Sequence, residues 1–167
     1  MRASMILAQL GFGFAAQTIC QDGINLIEHF ETYQPNFYYD QAGVRTIGFG
    51  HACIVSSNYC NDIIAPLSRQ QATDLMMNDI APCAQYVTDA ITSNVSTNAF
   101  AAMVSLAYNV GPQAFGASQI PAAVNSGNLV AASNGFMAFT TVNGQYLTDL
   151  AIRRQAEMKL FCSDGFC

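Results

Sequence analysis

The sequence predicts an α+β fold, mainly helical, with one small β-lobe near its N-terminus. Apolar residues recur at helical spacing in several segments between residues 24 and 161. One stretch, 37–49, is instead aromatic, β-branched or glycine, as a hairpin or small sheet would be. The length, 167 residues of which 51% are hydrophobic, suits one domain with its own apolar core.

The elements follow in order. Met1-Arg2 and the apolar run from Met5 to Ala16 read as an export signal, too short to span a membrane, so residues 1–17 are expected to be removed and 18–167 to form the domain. Ile24, Ile27 and Phe30 mark a short helix ending near Thr32, and Pro35 forbids its continuation. Phe37-Tyr38-Tyr39, a turn at Asp40-Gln41-Ala42-Gly43 and Val44 to Ile47 form the β-lobe. Ser68 with Gln71 makes a capping box for a helix through Ala72, Leu75, Met76 and Ile80, which Pro82 is expected to break or bend. A second strong helix covers Thr97 to Val110, stopped by Gly111-Pro112. Further helices are expected over 120–127, 129–139 and 146–161, with Asn143 and Gly144 punctuating the last two.

Charge excludes some functions. Acids outnumber bases, giving a net charge of -5, and the basic residues form no cluster beyond Arg153-Arg154, so no nucleic acid partner is expected. An anionic substrate would have to be held by local contacts. Nor is stable membrane insertion expected. All six cysteines (Cys20, Cys53, Cys60, Cys83, Cys162 and Cys167) lie beyond the export segment, which points to a secreted, disulfide-bonded, extracellular domain. Cys53 and Cys60 are close enough to staple one loop, and a bridge from Cys20 to Cys162 or Cys167 would tie the chain ends together. A zinc site on His51, Cys53 and Cys60 competes, but no Cys-x-x-Cys pair is present, and neither metal nor cofactor is expected. Gly48-Phe49-Gly50 lacks the third glycine of a nucleotide loop, and no Gly-x-Ser-x-Gly elbow occurs.

Glu31 at a helix end and Asp40 in the next hairpin turn could enter one cleft, and glycoside hydrolysis uses such a carboxyl pair. Two acids at that separation carry little by themselves. The full string carries more: Phe30-Glu31, then Tyr39-Asp40, Thr46, and Ile47-Gly48-Phe49-Gly50-His51. This string resembles the active-site segment of phage-type lysozymes, glycoside hydrolase family 24, and most resembles its secreted, cysteine-containing eukaryotic members. The similarity continues through Leu67 to Ile80, Ser105 to Gly111, Ala114 to Ser118 and Leu150 to Phe161.

The resemblance implies a lysozyme-like fold with a helical lobe and the β-lobe around a cleft. It implies a monomeric muramidase acting on bacterial peptidoglycan, in which Glu31 is the general acid and Asp40 and Thr46 activate or hold water. It further implies an ion pair of His51 with Asp79, an approach of Arg153 or Arg154 to Glu31, and glycan contacts from Tyr108, Asn109 and Ser118. Thr32 departs from the family's usual glycine, and Phe139 stands where a tryptophan is common. Pro112 occupies the place of a cysteine found in secreted relatives, so Cys83 needs another partner, Cys20 or one of the C-terminal pair. A glycan-binding homologue without catalysis and a lytic transglycosylase are the rival readings; intact Glu31, Asp40 and Thr46 favour hydrolysis.

Overall fold

The computed structural model describes residues 18–40, 42–165 and 167; the expected export segment lies outside the described residues. Helix α1 (Gln21–Glu31) buries Gly23 and Ile27. A Cβ on Gly23 would stand 2.5 Å from that of Ala101, so the missing side chain is what lets α1 cross the central helix closely. Thr32 ends α1 at φ 57°, ψ 123°.

The chain then forms a three-stranded antiparallel sheet of β1 (Gln34–Tyr39), β2 (Arg45–Gly48) and β3 (His51–Ala52), in that order. Tyr38 pairs with Thr46, and Tyr39 with Arg45. Pro35 sits inside β1, which is tolerable because β1 is an edge strand. A loop closed by the Cys53–Cys60 disulfide follows.

Helix α2 (Arg69–Ala90) starts at the Ser68/Gln71 capping box and runs unbroken through Pro82. The expected break there does not occur. Pro82 and Asn78 lie on the solvent side, where water can serve the carbonyl that proline leaves without an N–H. Helix α3 (Thr97–Val110) is capped by Ser96, whose hydroxyl accepts from the Ala99 N–H at 3.1 Å. Gly111, at φ 90°, ends α3 and also opens a short helix α4 (Pro112–Ala117) that the stop signal did not predict; proline is well suited to a first helical turn.

Helices α5 (Gln119–Asn125) and α6 (Leu129–Gly135) follow, then a 3-10 turn over Phe136–Phe139. A second sheet, the hairpin β4 (Thr141–Val142) and β5 (Gln145–Tyr146), also went unpredicted. It turns on Asn143 and Gly144, both at positive φ, a pairing typical of tight hairpins. Helix α7 (Thr148–Phe161) closes the fold.

All residues of α3 from Ala99 to Ala107 are buried, so α3 is the axis against which α1, α2 and α7 pack. Phe100, Phe115 and Phe136 are fully enclosed, each worth about 2–3 kcal/mol relative to exposure. The β-lobe leans on α2 through β2 and β3. No helix among the described residues is long and apolar enough to cross a membrane.

Two disulfides are present, Cys53–Cys60 and Cys162–Cys167. The expected bridge between chain ends is absent, and Cys20 and Cys83 carry no disulfide. The turn after α7, closed by a Gly165 N–H bond to the Cys162 carbonyl, brings Cys162 and Cys167 together. Cys20 instead sits against the start of α3, its thiol 3.3 Å from Asn98 Oδ1. Cys83 is on the buried face of α2, where burial pushes its thiol up.

Candidate active site

Glu31 is the last residue of α1, so its carboxyl projects where the helix gives way to the β-lobe. Arg153 of α7 donates from Nη1 to Glu31 Oε1 at 2.7 Å. The arginine side chain is 6% exposed and that of Glu31 23%, which makes this a sheltered pair with one open side. Gly50, at φ 82° in the turn between β2 and β3, borders the other oxygen: a Cβ there would be 3.6 Å from Oε2.

Asp40 occupies the tip of the first hairpin. Its Oδ1 accepts from the Ala42 and Val44 N–H groups, both at 2.8 Å, which organises the turn. Those bonds hold the carboxylate in place and leave Oδ2 for other work. Thr46 lies on β2 opposite Tyr38 and is buried, its hydroxyl donating to the Val44 carbonyl at 2.9 Å. The oxygen keeps lone pairs able to accept from a water. Burial pushes the Tyr38 phenol up, and the nearby charges of Asp40 and Glu31 push it further.

Behind Arg153 is a buried ionic cluster. Arg153 Nε donates to Glu157 Oε1 at 3.3 Å, and Arg154 Nη2 donates to the same oxygen at 2.9 Å. Ser105 Oγ adds a third bond at 2.8 Å. Burial pushes the Glu157 carboxyl up, against the pull of Arg154 and Arg153. Arg154 also donates to Asn109 Oδ1 at 3.0 Å, tying α7 to the end of α3. Asn109 thus has a structural partner already. Ser118 likewise caps α5, accepting from Ile120 N and donating to the Phe115 carbonyl.

His51 Nδ1 lies 2.8 Å from Asp79 Oδ2, linking β3 to α2. Both residues line a groove of about 410 Å³ with Gly50, Leu75, Asn78 and Tyr108. Burial raises the Tyr108 phenol well above its ordinary range, helped by Asp79 and then Glu31. Ile54, Ser56 and Ser57 of the disulfide loop form the groove's other wall. With both sulfurs in that disulfide, the zinc set considered for His51, Cys53 and Cys60 has lost two of its ligands.

A family model described as phage lysozyme matches residues 28–157, which takes in Glu31, Asp40, Thr46, His51, Asp79 and both arginines. The chain belongs to the phage lysozyme family. As a phage lysozyme family member it is 34% identical over 149 residues to an endolysin of Bacillus phage PZA, covering 87% of this chain and 55% of that one. It is 30% identical over 149 residues to an endolysin of Salmonella phage P22, covering 87% and 98%. Among solved structures, the muramidase domain of SpmX from Asticaccaulis excentricus superposes with a TM-score of 0.74 at 28% identity, covering 87% of this chain and 97% of that domain. The chain spans about half the length of the Bacillus phage endolysins it matches.

Two groups in this phage lysozyme family chain escaped sequence reasoning. Glu157, at i+4 from Arg153 on a helix, fits an ordinary surface pair by spacing, yet it is the buried centre of the cluster. Glu28 has a side chain only 10% exposed that meets Arg69 and Thr73 of α2. An acid on the semi-buried face of a short helix, without a basic residue at i+4, was the available signal for Glu28.

Proposed function

We propose that the protein is a muramidase that hydrolyses the β-1,4 bond between N-acetylmuramic acid and N-acetylglucosamine in bacterial peptidoglycan. One observation carries this reading: the Glu31 carboxyl, held by Arg153 at 2.7 Å, faces Gly50 of the same β-lobe whose hairpin tip carries Asp40. Membership of the phage lysozyme family and similarity to endolysins support it.

In this reading Glu31 protonates the leaving glycosidic oxygen, with Arg153 fixing the orientation of its Oε1. Asp40 Oδ2 takes a proton from water while the backbone holds Oδ1, and Thr46 Oγ1 helps to place that water. The groove beside Gly50 receives the glycan, with Tyr108 along its wall. Asn109 and Ser118 serve as further glycan contacts beside their bonds to Arg154 and at the start of α5. Residues 1–17 act as the export signal of a secreted, monomeric domain, 18–167, in keeping with its two disulfides.

A clearing assay on bacterial walls with wild type, Glu31→Gln and Asp40→Asn tests the reading, with mass spectrometry of the fragments. Reducing-end products from wild type and none from Glu31→Gln are expected. Clearing that survives Glu31→Gln refutes the assignment, and anhydro-sugar ends would make the protein a lytic transglycosylase.

A further inference from the structure

We infer that Arg69 is a positioning residue for Glu31, acting through the last turn of α1 and the strained Thr32; the inference rests on the catalytic reading above. Arg69 is the first residue of α2, far from Glu31 in sequence, and its ion pair is with Glu28 instead. Its guanidinium pairs with Glu28, one turn before Glu31 on α1. Thr73 of α2 donates to the same carboxyl and to the Arg69 carbonyl, so Glu28 is held from two positions on α2.

The guanidinium also lies over the rings of Phe49 and Tyr33, 5.2 and 5.8 Å from their centroids. Tyr33 is fixed in turn by its hydroxyl bond to the Leu67 carbonyl. Phe49 is 1% exposed and precedes Gly50, the residue bordering Glu31 Oε2. One side chain, itself 60% exposed, thus touches Glu28 before Glu31, Tyr33 after it and Phe49 across from it.

Thr32 is a second, independent observation. It holds φ 57°, ψ 123°, a conformation that a β-branched residue avoids. Such strain persists only where the surroundings fix both sides of the residue. Glu28 on Arg69 fixes the helix before Thr32, and Tyr33 on Leu67 and Arg69 fixes the chain after it. Without Arg69 the junction can relax by turning the end of α1, which carries Glu31 away from Asp40. A glycine at position 32 has no such strain to release.

The test is a four-way comparison of wild type, Arg69→Ala, Thr32→Gly and the double variant, well below each melting temperature. The chain has three glutamates, Glu28, Glu31 and Glu157, so ¹³C-glutamate labelling resolves each carboxyl, assigned by Gln substitution. In Arg69→Ala the Glu31 carboxyl resonance is expected to move, and kcat on soluble glycan fragments to fall about tenfold or more with KM within about twofold. Adding Thr32→Gly is expected to return both toward wild type. A Glu31 resonance unmoved by Arg69→Ala overturns the inference, as does a double variant no better than Arg69→Ala. If the alanine variant does not fold, Arg69→Lys gives the same comparison, since an ammonium cannot make the planar stack and the Glu28 bond together. Wild type that cleaves nothing would sink the muramidase reading, while the resonance alone still decides the clamp.

Discussion

Arg153 reaches from the last helix to the carboxyl at the end of the first, bonding Glu31 at 2.7 Å while its Nε holds Glu157 at 3.3 Å. The orientation of the proposed acid is therefore fixed from the core of the helical lobe. Arg153→Ala should cost about 3 kcal/mol by leaving buried charge unbalanced, read by chemical denaturation. Wall clearing should fall even where the variant is folded. Arg153→Lys should recover part of the stability and less of the activity, because the ammonium cannot bond both carboxyls through a rigid fork.

The disulfide between Cys53 and Cys60 closes a loop that walls the groove through Ile54, Ser56 and Ser57. Cross-linking so short a loop restricts the unfolded chain by about 2–3 kcal/mol. A Cys53→Ser/Cys60→Ser variant should lose stability of that order in urea. Its KM for glycan fragments should rise more than its kcat falls, because the loop borders the groove and leaves Glu31 and Arg153 untouched.

His51 and Asp79 join the β-lobe to α2, and their side chains are 12% and 27% exposed. Replacing either one leaves a sheltered polar partner behind, at about 1–3 kcal/mol. His51→Ala and Asp79→Ala should each lower the melting temperature, and the double variant should lose less than the sum of the two. Activity per folded molecule should change little by comparison. Stability equal to wild type in both single variants would remove the pair from the frame of the fold.

The elements that sequence reading places well are those coded by neighbouring residues. The stripe of α3 and the Ser68/Gln71 cap are local signals, and so is the turn at Asp40. Glu31, Asp40 and Thr46 sit on consecutive elements, and the full string around them, through its resemblance to the family's active-site segment, suggested one site. The arginine clamp was illegible because Glu28 and Arg69 are 41 residues apart and meet only once α2 packs beside α1. The Cys53–Cys60 staple, close in sequence, is as expected, but the bridges expected for Cys20 and Cys83 are not, because such pairing follows where the chain ends lie in space and the turn after α7 folds Cys167 back on Cys162. The hairpin β4–β5 was missed because two-residue strands hold too little pattern to register.

Tyr108 offers a prediction for alkaline conditions. Burial and the nearby Asp79 and Glu31 raise its phenol above the ordinary value, so the native state keeps a proton that the unfolded chain has released. With the folded value raised, this group's contribution is fully present below pH of about 10 and is lost as pH rises beyond it. Each such group steepens the fall by about 1.4 kcal/mol per pH unit. Cys83, also pushed up by burial, starts the decline slightly earlier. Tyr108→Phe should therefore flatten the loss of stability above pH ~10, measured by urea unfolding at several pH values, and leave the earlier, Cys83-linked decline in place. An unchanged alkaline slope would show that the phenol ionises as readily in the folded protein as in the unfolded chain.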